Sequence, residues 1–102
     1  MEHTEGTWDF EAELWEYKGK GAWHFVTLPP EVGFAIRCAS EGHRPGWGMV
    51  AVTAEIGDVD FQTSVFPDKA SESYLLPVKA AVRKAARVKA GDMLKVRIVL
   101  QR

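Results

Sequence analysis

The side chains able to do chemistry in this chain are few and thinly spread. His24, Cys38 and His43, with His3 near the start, are the imidazole and thiol groups that could ligate a metal. A zinc-type site needs several such groups converging at short, regular spacing. These four show no such spacing, so no metal site is expected. Ser64 or Cys38 with His24 as base would be the raw material of nucleophilic catalysis. That chemistry needs a nucleophile held against its base, with a third group orienting the base. No nucleophile-elbow signature surrounds either residue, and Thr63-Ser64 reads as a cross-strand hydrogen-bonding pair. A small hydrolase is therefore the least favoured reading: no catalytic residue is assigned and no cofactor is expected. Gly19, Gly21 and Gly57 sit at hairpin turns, not in a strand-to-helix phosphate cradle.

Two features stand out more. Lys79, Arg83 and Arg87 recur at four-residue intervals, with Lys84 beside them. Residues 78–102 carry 8 basic side chains and 1 acidic one, whereas residues 1–77 carry 13 acidic and 5 basic. Clustered cations on a helix read first as a solvated face. As a site, Lys79 and Arg83 beside Thr63, Ser64 and Tyr74 could hold a small anion or an acidic protein partner. Lys84 and Arg87, extended by Lys95 and Arg97, would add a basic surface able to neutralise phosphates without reading bases. Nucleic acid is not favoured, because the rest of the chain is acidic and would repel a polyanion.

The other feature is the aromatic content, with four tryptophans in 102 residues. Trp8, Trp23 and Trp47 are expected in a barrel interior. Trp15 and Tyr17 instead share the acidic face of the first strand, and Phe34, with Cys38, falls off the apolar stripe of its helix. Aromatics outside the core pattern mark interfaces, so Trp15, Tyr17 and Phe34 are the candidates for a homodimer contact.

The elements that must position these groups follow from periodicity. Trp8, Phe10, Ala12 and Leu14 alternate with Asp9, Glu11 and Glu13, the period-two signature of a half-buried strand. Lys18-Gly19-Lys20-Gly21 turns the chain back into a strand over 22–28, with Trp23/Phe25 on one face and His24/Val26/Leu28 on the other. Pro29-Pro30-Glu31 opens a helix whose stripe is Val32, Ala35, Ile36 and Ala39. Strands follow over 47–56 and 59–66, the latter ended by Pro67, with a polar loop over 68–73 and a short strand over 74–76. Pro77 is expected to start a second helix, with Val78, Ala81, Val82, Ala85 and Ala86 inward. Gly91-Asp92 turns the chain into a last strand over 93–100.

Short strands joined by tight turns, with too few helices for a layered parallel sheet, favour closure. The expected fold is mainly β, a small six-stranded closed or partly open β-barrel with two short α-helices, spanning residues 8–102 after a frayed 1–7. A single cysteine, Cys38, and the absence of any membrane-length apolar run or signal-peptide core fit a cytoplasmic protein.

Several motifs then fall in a familiar order: Trp23-His24-Phe25-Val26-Thr27-Leu28-Pro29, Ile56-Gly57, Thr63-Ser64, Phe66-Pro67, Tyr74-Leu75-Leu76-Pro77-Val78-Lys79, Val82-Arg83-Lys84 and Ala90-Gly91-Asp92. The pattern resembles the bacterial domain-of-unknown-function family nineteen-oh-five over roughly residues 8–100. Members occur alone or ahead of a bacteriocin-protection-type domain. The resemblance implies a small β-barrel with no catalytic residues to carry over. The stretch from Val88 to Val96 also looks like the Gly-Asp strand entry of swapped-hairpin transcription factors. The functional expectation is a non-enzymatic binding module for a small anionic ligand or acidic partner, with nucleic-acid binding through the second helix as the alternative.

Overall fold

Alternation of apolar and polar residues becomes strand wherever the sequence shows it, and the strands close on one another. The computed structural model describes residues 6–19, 21–40 and 48–101. Its elements are β1 (Thr7–Glu16), β2 (His24–Thr27), α1 (Pro30–Ala39), β3 (Val50–Ile56), β4 (Val59–Asp68), β5 (Ser73–Pro77), α2 (Ala80–Ala86) and β6 (Met93–Leu100). The strands form a closed antiparallel barrel in the order β1-β2-β5-β4-β3-β6. Every strand has a neighbour on each side, although β1 and β4 change partner along their length. β1 pairs with β6 over Thr7–Glu13 and with β2 over Leu14–Glu16, and β4 pairs with β3 over Val59–Val65 and with β5 over Phe66–Asp68.

Register decides what each residue faces. Leu14, Val26 and Leu76 are partners across β1, β2 and β5, and all three are fully buried. Ile98 on β6, Ala54 on β3 and Val65 on β4 are likewise fully buried. Since successive side chains alternate faces, the partners one residue away, Trp15, Phe25 and Pro77, are on the outward face, where Trp15 and Phe25 are half-buried and Pro77 is covered. On the other side of the barrel the outward row is Asp9, Arg97 and Glu55. The Gly91-Asp92 turn forms as expected: Gly91 takes φ 98°, a left-handed conformation that glycine adopts at little cost. Its N–H donates to the Leu14 carbonyl at 2.8 Å.

Several expectations are corrected. Trp23 is 51% exposed, not interior, because it shares its strand face with Phe25 while Val26 and Leu28 fill the inside. Trp47 lies outside the described residues, as do His3, His43 and residues 1–5; Thr7 already opens β1, and the Gly6 carbonyl accepts from the Leu100 N–H at 2.7 Å. Pro67 does not end β4, which runs to Asp68; an exposed proline near a strand end needs no ladder donor.

Pro77 does not start α2. It is the last residue of β5, opposite Phe25, and the Val78 N–H continues that pairing by donating to the His24 carbonyl at 3.0 Å. The helix therefore begins at Ala80 and is only seven residues long. Val82 and Ala86 pack against the core, while Ala81 and Ala85 are exposed. The helix ends in a Schellman arrangement: the Val88 N–H donates to the Arg83 carbonyl and the Arg87 N–H to the Lys84 carbonyl. Arg87 occupies the left-handed position, φ 60°, where glycine is the usual residue. Arg87→Gly is therefore expected to raise stability by about 0.5–1 kcal/mol, seen as a thermal midpoint several degrees higher.

Candidate functional site

Lys79 and Arg83 come together with β2 because β5 and β2 are neighbours. Leaving β5, the chain passes through Lys79 in an extended conformation and enters α2, whose first turn carries Arg83. The Arg83 side chain folds back, Nη1 donating to the Val78 carbonyl at 2.7 Å. The result is an open pocket of about 370 Å³ lined by Gly21, Ala22, Trp23, His24, Pro77, Val78, Lys79, Ala80 and Arg83. That volume lies near the lower end of the roughly 300–1,000 Å³ common for small-molecule sites. Among the described residues neither Lys79 nor Arg83 pairs with a carboxylate. An arginine has five N–H donors, so the single bond to Val78 leaves Arg83 with donors to offer. His24 Nδ1 lies 3.3 Å from the Ala22 carbonyl. A carbonyl can only accept, so Nδ1 carries the proton of that bond, and in the neutral ring Nε2 is an acceptor.

The other residues expected at this site are elsewhere. Tyr74 is buried in the core opposite Pro67. Thr63 and Ser64, on β4, are partners of Val52 and Ala51 on β3, outside the pocket that holds Lys79. Pleating sends them to opposite faces: Thr63 shares the inward face of Val65, and Ser64 faces out. No single pocket can use both. The same parity separates Ser64 from His24, which lies on the face of Val26 and is two strands away in the barrel order. Lys84 and Arg87 are exposed on α2 and after it, and neither lines the pocket. Among the described residues no group of three or more His, Cys, Asp or Glu side chains could hold a metal ion. No helix among them is long and apolar enough to cross a membrane.

Lys95 and Arg97 do not extend the basic arc. They lie on the outer face of β6, register partners of Glu11 and Asp9 on β1, with Glu55 of β3 on the far side of Arg97. Arg97 grips Asp9 through two hydrogen bonds, Nε to Oδ1 at 2.7 Å and Nη2 to Oδ2 at 3.2 Å. The hydrogen bond to Asp9, its charge and then that of Glu55 raise the Arg97 pKa above its usual value, so the guanidinium stays charged at any accessible pH. A larger hollow of about 640 Å³ runs along this surface. It is the weaker candidate, because its arginine is already committed to Asp9 and three carboxylates line it.

Sequence reading missed the aromatic half of the Lys79 pocket. The Trp23 and Phe25 rings are 6.2 Å apart and within 6° of parallel. Trp15 leans on Phe25 at 5.4 Å with a 44° tilt, and its indole N–H donates to Thr27 Oγ1 at 2.9 Å. The signal was present in the parity of Trp23 against Val26 and Leu28. Of the residues expected at an interface, Tyr17 is 51% and Phe34 69% exposed, and Trp15 is half-buried. Tyr17 and Trp15 belong to the Trp23 surface, while Phe34 is separate, on α1 beside the exposed Cys38.

The model of a family described as "Domain of unknown function (DUF1905)" matches residues 10–98. No curated protein matches the chain.

Proposed function

Because this chain belongs to the DUF1905 family, whose description carries no activity, we propose its function from its own geometry: it is a binding domain that takes an anionic group between Lys79 and Arg83, against the Trp23 ring. One observation carries this reading. Two cations that have no carboxylate partner among the described residues share a pocket with a half-exposed indole. The guanidinium is preset by its bond to Val78, so little side-chain freedom is lost on binding. Charge-assisted hydrogen bonds from such a fork to phosphate or carboxylate oxygens are the strong kind. A small anionic ligand or an acidic segment of a partner would both fit. Duplex DNA read by α2 is supported less, because the helix is short and Arg83 is turned back onto its own backbone.

Titration with inorganic pyrophosphate, followed by backbone amide chemical shifts, tests this. Saturable shifts are expected at residues 21–24 and 78–83. Lys79→Glu should abolish them. Arg83→Gln, which keeps a donor for the Val78 carbonyl, should weaken binding about 10-fold or more, the scale of one hydrogen bond to a charged group. Shifts that survive Lys79→Glu unchanged, or no shifts at millimolar pyrophosphate, would remove the reading.

A further inference from the structure

We propose that the outer surface of β1, β2, β5 and β4 is a platform for single-stranded nucleic acid, its bases lying on the aromatic rings and a backbone phosphate held at Lys79 and Arg83. The inference rests on the anion site above and names the class of ligand that site takes.

The barrel's outer surface is divided in two by side-chain chemistry. Across β1, β6, β3 and the start of β4 the outward residues include Asp9, Glu11, Glu55 and Asp60, with Lys95 and Arg97 facing Glu11 and Asp9. Across the C-terminal part of β1, then β2, β5 and the end of β4, they include instead Trp15, Phe25, Leu75 and Phe66, with Thr27, Asp68 and the buried Ser73 and Pro77 between them. Tyr17 and Trp23 lie just beyond the ends of β1 and β2, joined by a backbone hydrogen bond. Tyr17 and Trp23 are each 51% exposed and Phe66 36%. An exposed aromatic surface at one end of a small barrel is an interaction site by default.

Three observations select the occupant. The rings are preset: Trp23 lies parallel to Phe25, and Trp15 is fixed by its bond to Thr27. The surface spans three inter-strand spacings, roughly 14 Å, comparable with sheets whose aromatics stack two or three unpaired bases. Finally, among the described residues the two cations at its edge make no ion pair, as is also true of Arg37, Lys69, Lys84, Arg87 and Lys95. Only Lys79 and Arg83, however, share a pocket with Trp23, and nearby Glu16 is matched by Lys18 at 3.9 Å. The net charge of −1 thus misstates the local field, because most strand carboxylates face out on the other side. Base–aromatic stacking beside a positive groove is how single strands are held without sequence preference. A duplex has no free base faces to offer.

The test is fluorescence anisotropy with a labelled oligothymidylate of about 10 nucleotides, a duplex of equal length, and the wild-type, Trp23→Ala and Lys79→Glu proteins over a range of salt. Expected are salt-sensitive binding of the single strand and much weaker binding of the duplex. Trp23→Ala should lose roughly 5- to 150-fold in affinity with its salt slope intact, whereas Lys79→Glu should flatten the slope. Single-strand binding indifferent to Trp23→Ala, or equal binding of the duplex, overturns the proposal. Absence of oligonucleotide binding while pyrophosphate still shifts the pocket amides overturns it and leaves the anion site standing; absence of both removes the two together. Self-association that Trp23→Ala abolishes, without oligonucleotide binding, also overturns it and makes the surface an interface between copies.

Discussion

Leu76→Ala should lower the stability of the barrel by about 2–5 kcal/mol, the usual cost of emptying a fully buried leucine site. Leu76 has no exposed surface, and its strand is paired on both sides, to β2 through Val26 and to β4 through the Phe66–Leu75 pair. Surrounding strands held in a closed ladder cannot collapse far into the vacated volume. For a domain of this size the total stability is on the order of 5–15 kcal/mol, so the loss is a large fraction of it. The thermal midpoint should fall by roughly 10–30 °C, and the urea midpoint should fall with an unchanged slope. The neighbouring Leu75 supplies the control, because it lies on the outer surface and is only half-buried. Leu75→Ala should cost well under half as much. Equal losses at the two positions would mean that the assigned register of β5 is wrong.

Gly33→Val is expected to destabilise by about 1–3 kcal/mol, although removing a glycine from a helix interior usually helps. Gly33 is the point where α1 crosses the Ser73 end of β5. A side chain there would overlap Ser73 Oγ and come within 3.1 Å of its Cβ and 3.2 Å of its Cα. The hydroxyl can rotate away from the Pro29 carbonyl, 3.4 Å distant, but the Ser73 backbone is held in its strand pair with Asp68. Gly33→Ala alone removes the helix penalty of glycine, about 1 kcal/mol, and adds the overlap, so it should gain nothing. In the Ser73→Ala background the same change should be better tolerated, with a coupling of about 0.5 kcal/mol or more in a double-mutant cycle. Additive effects would show that the helix does not press on β5 at this point.

Much of the barrel is legible in the chain because local rules and the fold agree. The alternation from Trp8 to Leu14 and the turn at Gly91-Asp92 produce β1 and β6 where expected, and these two strands then pair along seven residues. The apolar stripe Val32/Ile36 and the outward Phe34 and Cys38 are also as read. Proline is the residue that misled. A proline fixes its own φ and lacks a donor, which suits a helix start and a strand end equally. At Pro77 the second use wins, because the Val78 N–H still has the His24 carbonyl to reach. Trp23 misled through size: a large apolar ring is expected inside, as Trp8 does pack against the core, yet at Trp23 the interior was already filled by Val26 and Leu28 from the other face of the chain.

The candidate site divides along the same line. The cation pair Lys79 and Arg83 could be read directly from four-residue spacing. The indole that completes the pocket comes from Trp23, just before β2 and more than fifty positions earlier, and reaches it only because β2 and β5 are neighbours in the closed barrel. Thr63, Ser64 and Tyr74 looked near in sequence order but are dispersed by pleating and by the core. What the amino-acid sequence determines by itself is the set of strands, their inward and outward faces and the length of their turns, since these depend on alternation and backbone preference over a few residues. Which strands become neighbours, and so which outward residues gather as carboxylates on one side of the barrel and aromatics beside Lys79 and Arg83 on the other, is decided only by closure, because pairing between distant strands satisfies backbone groups whose partners no local pattern specifies.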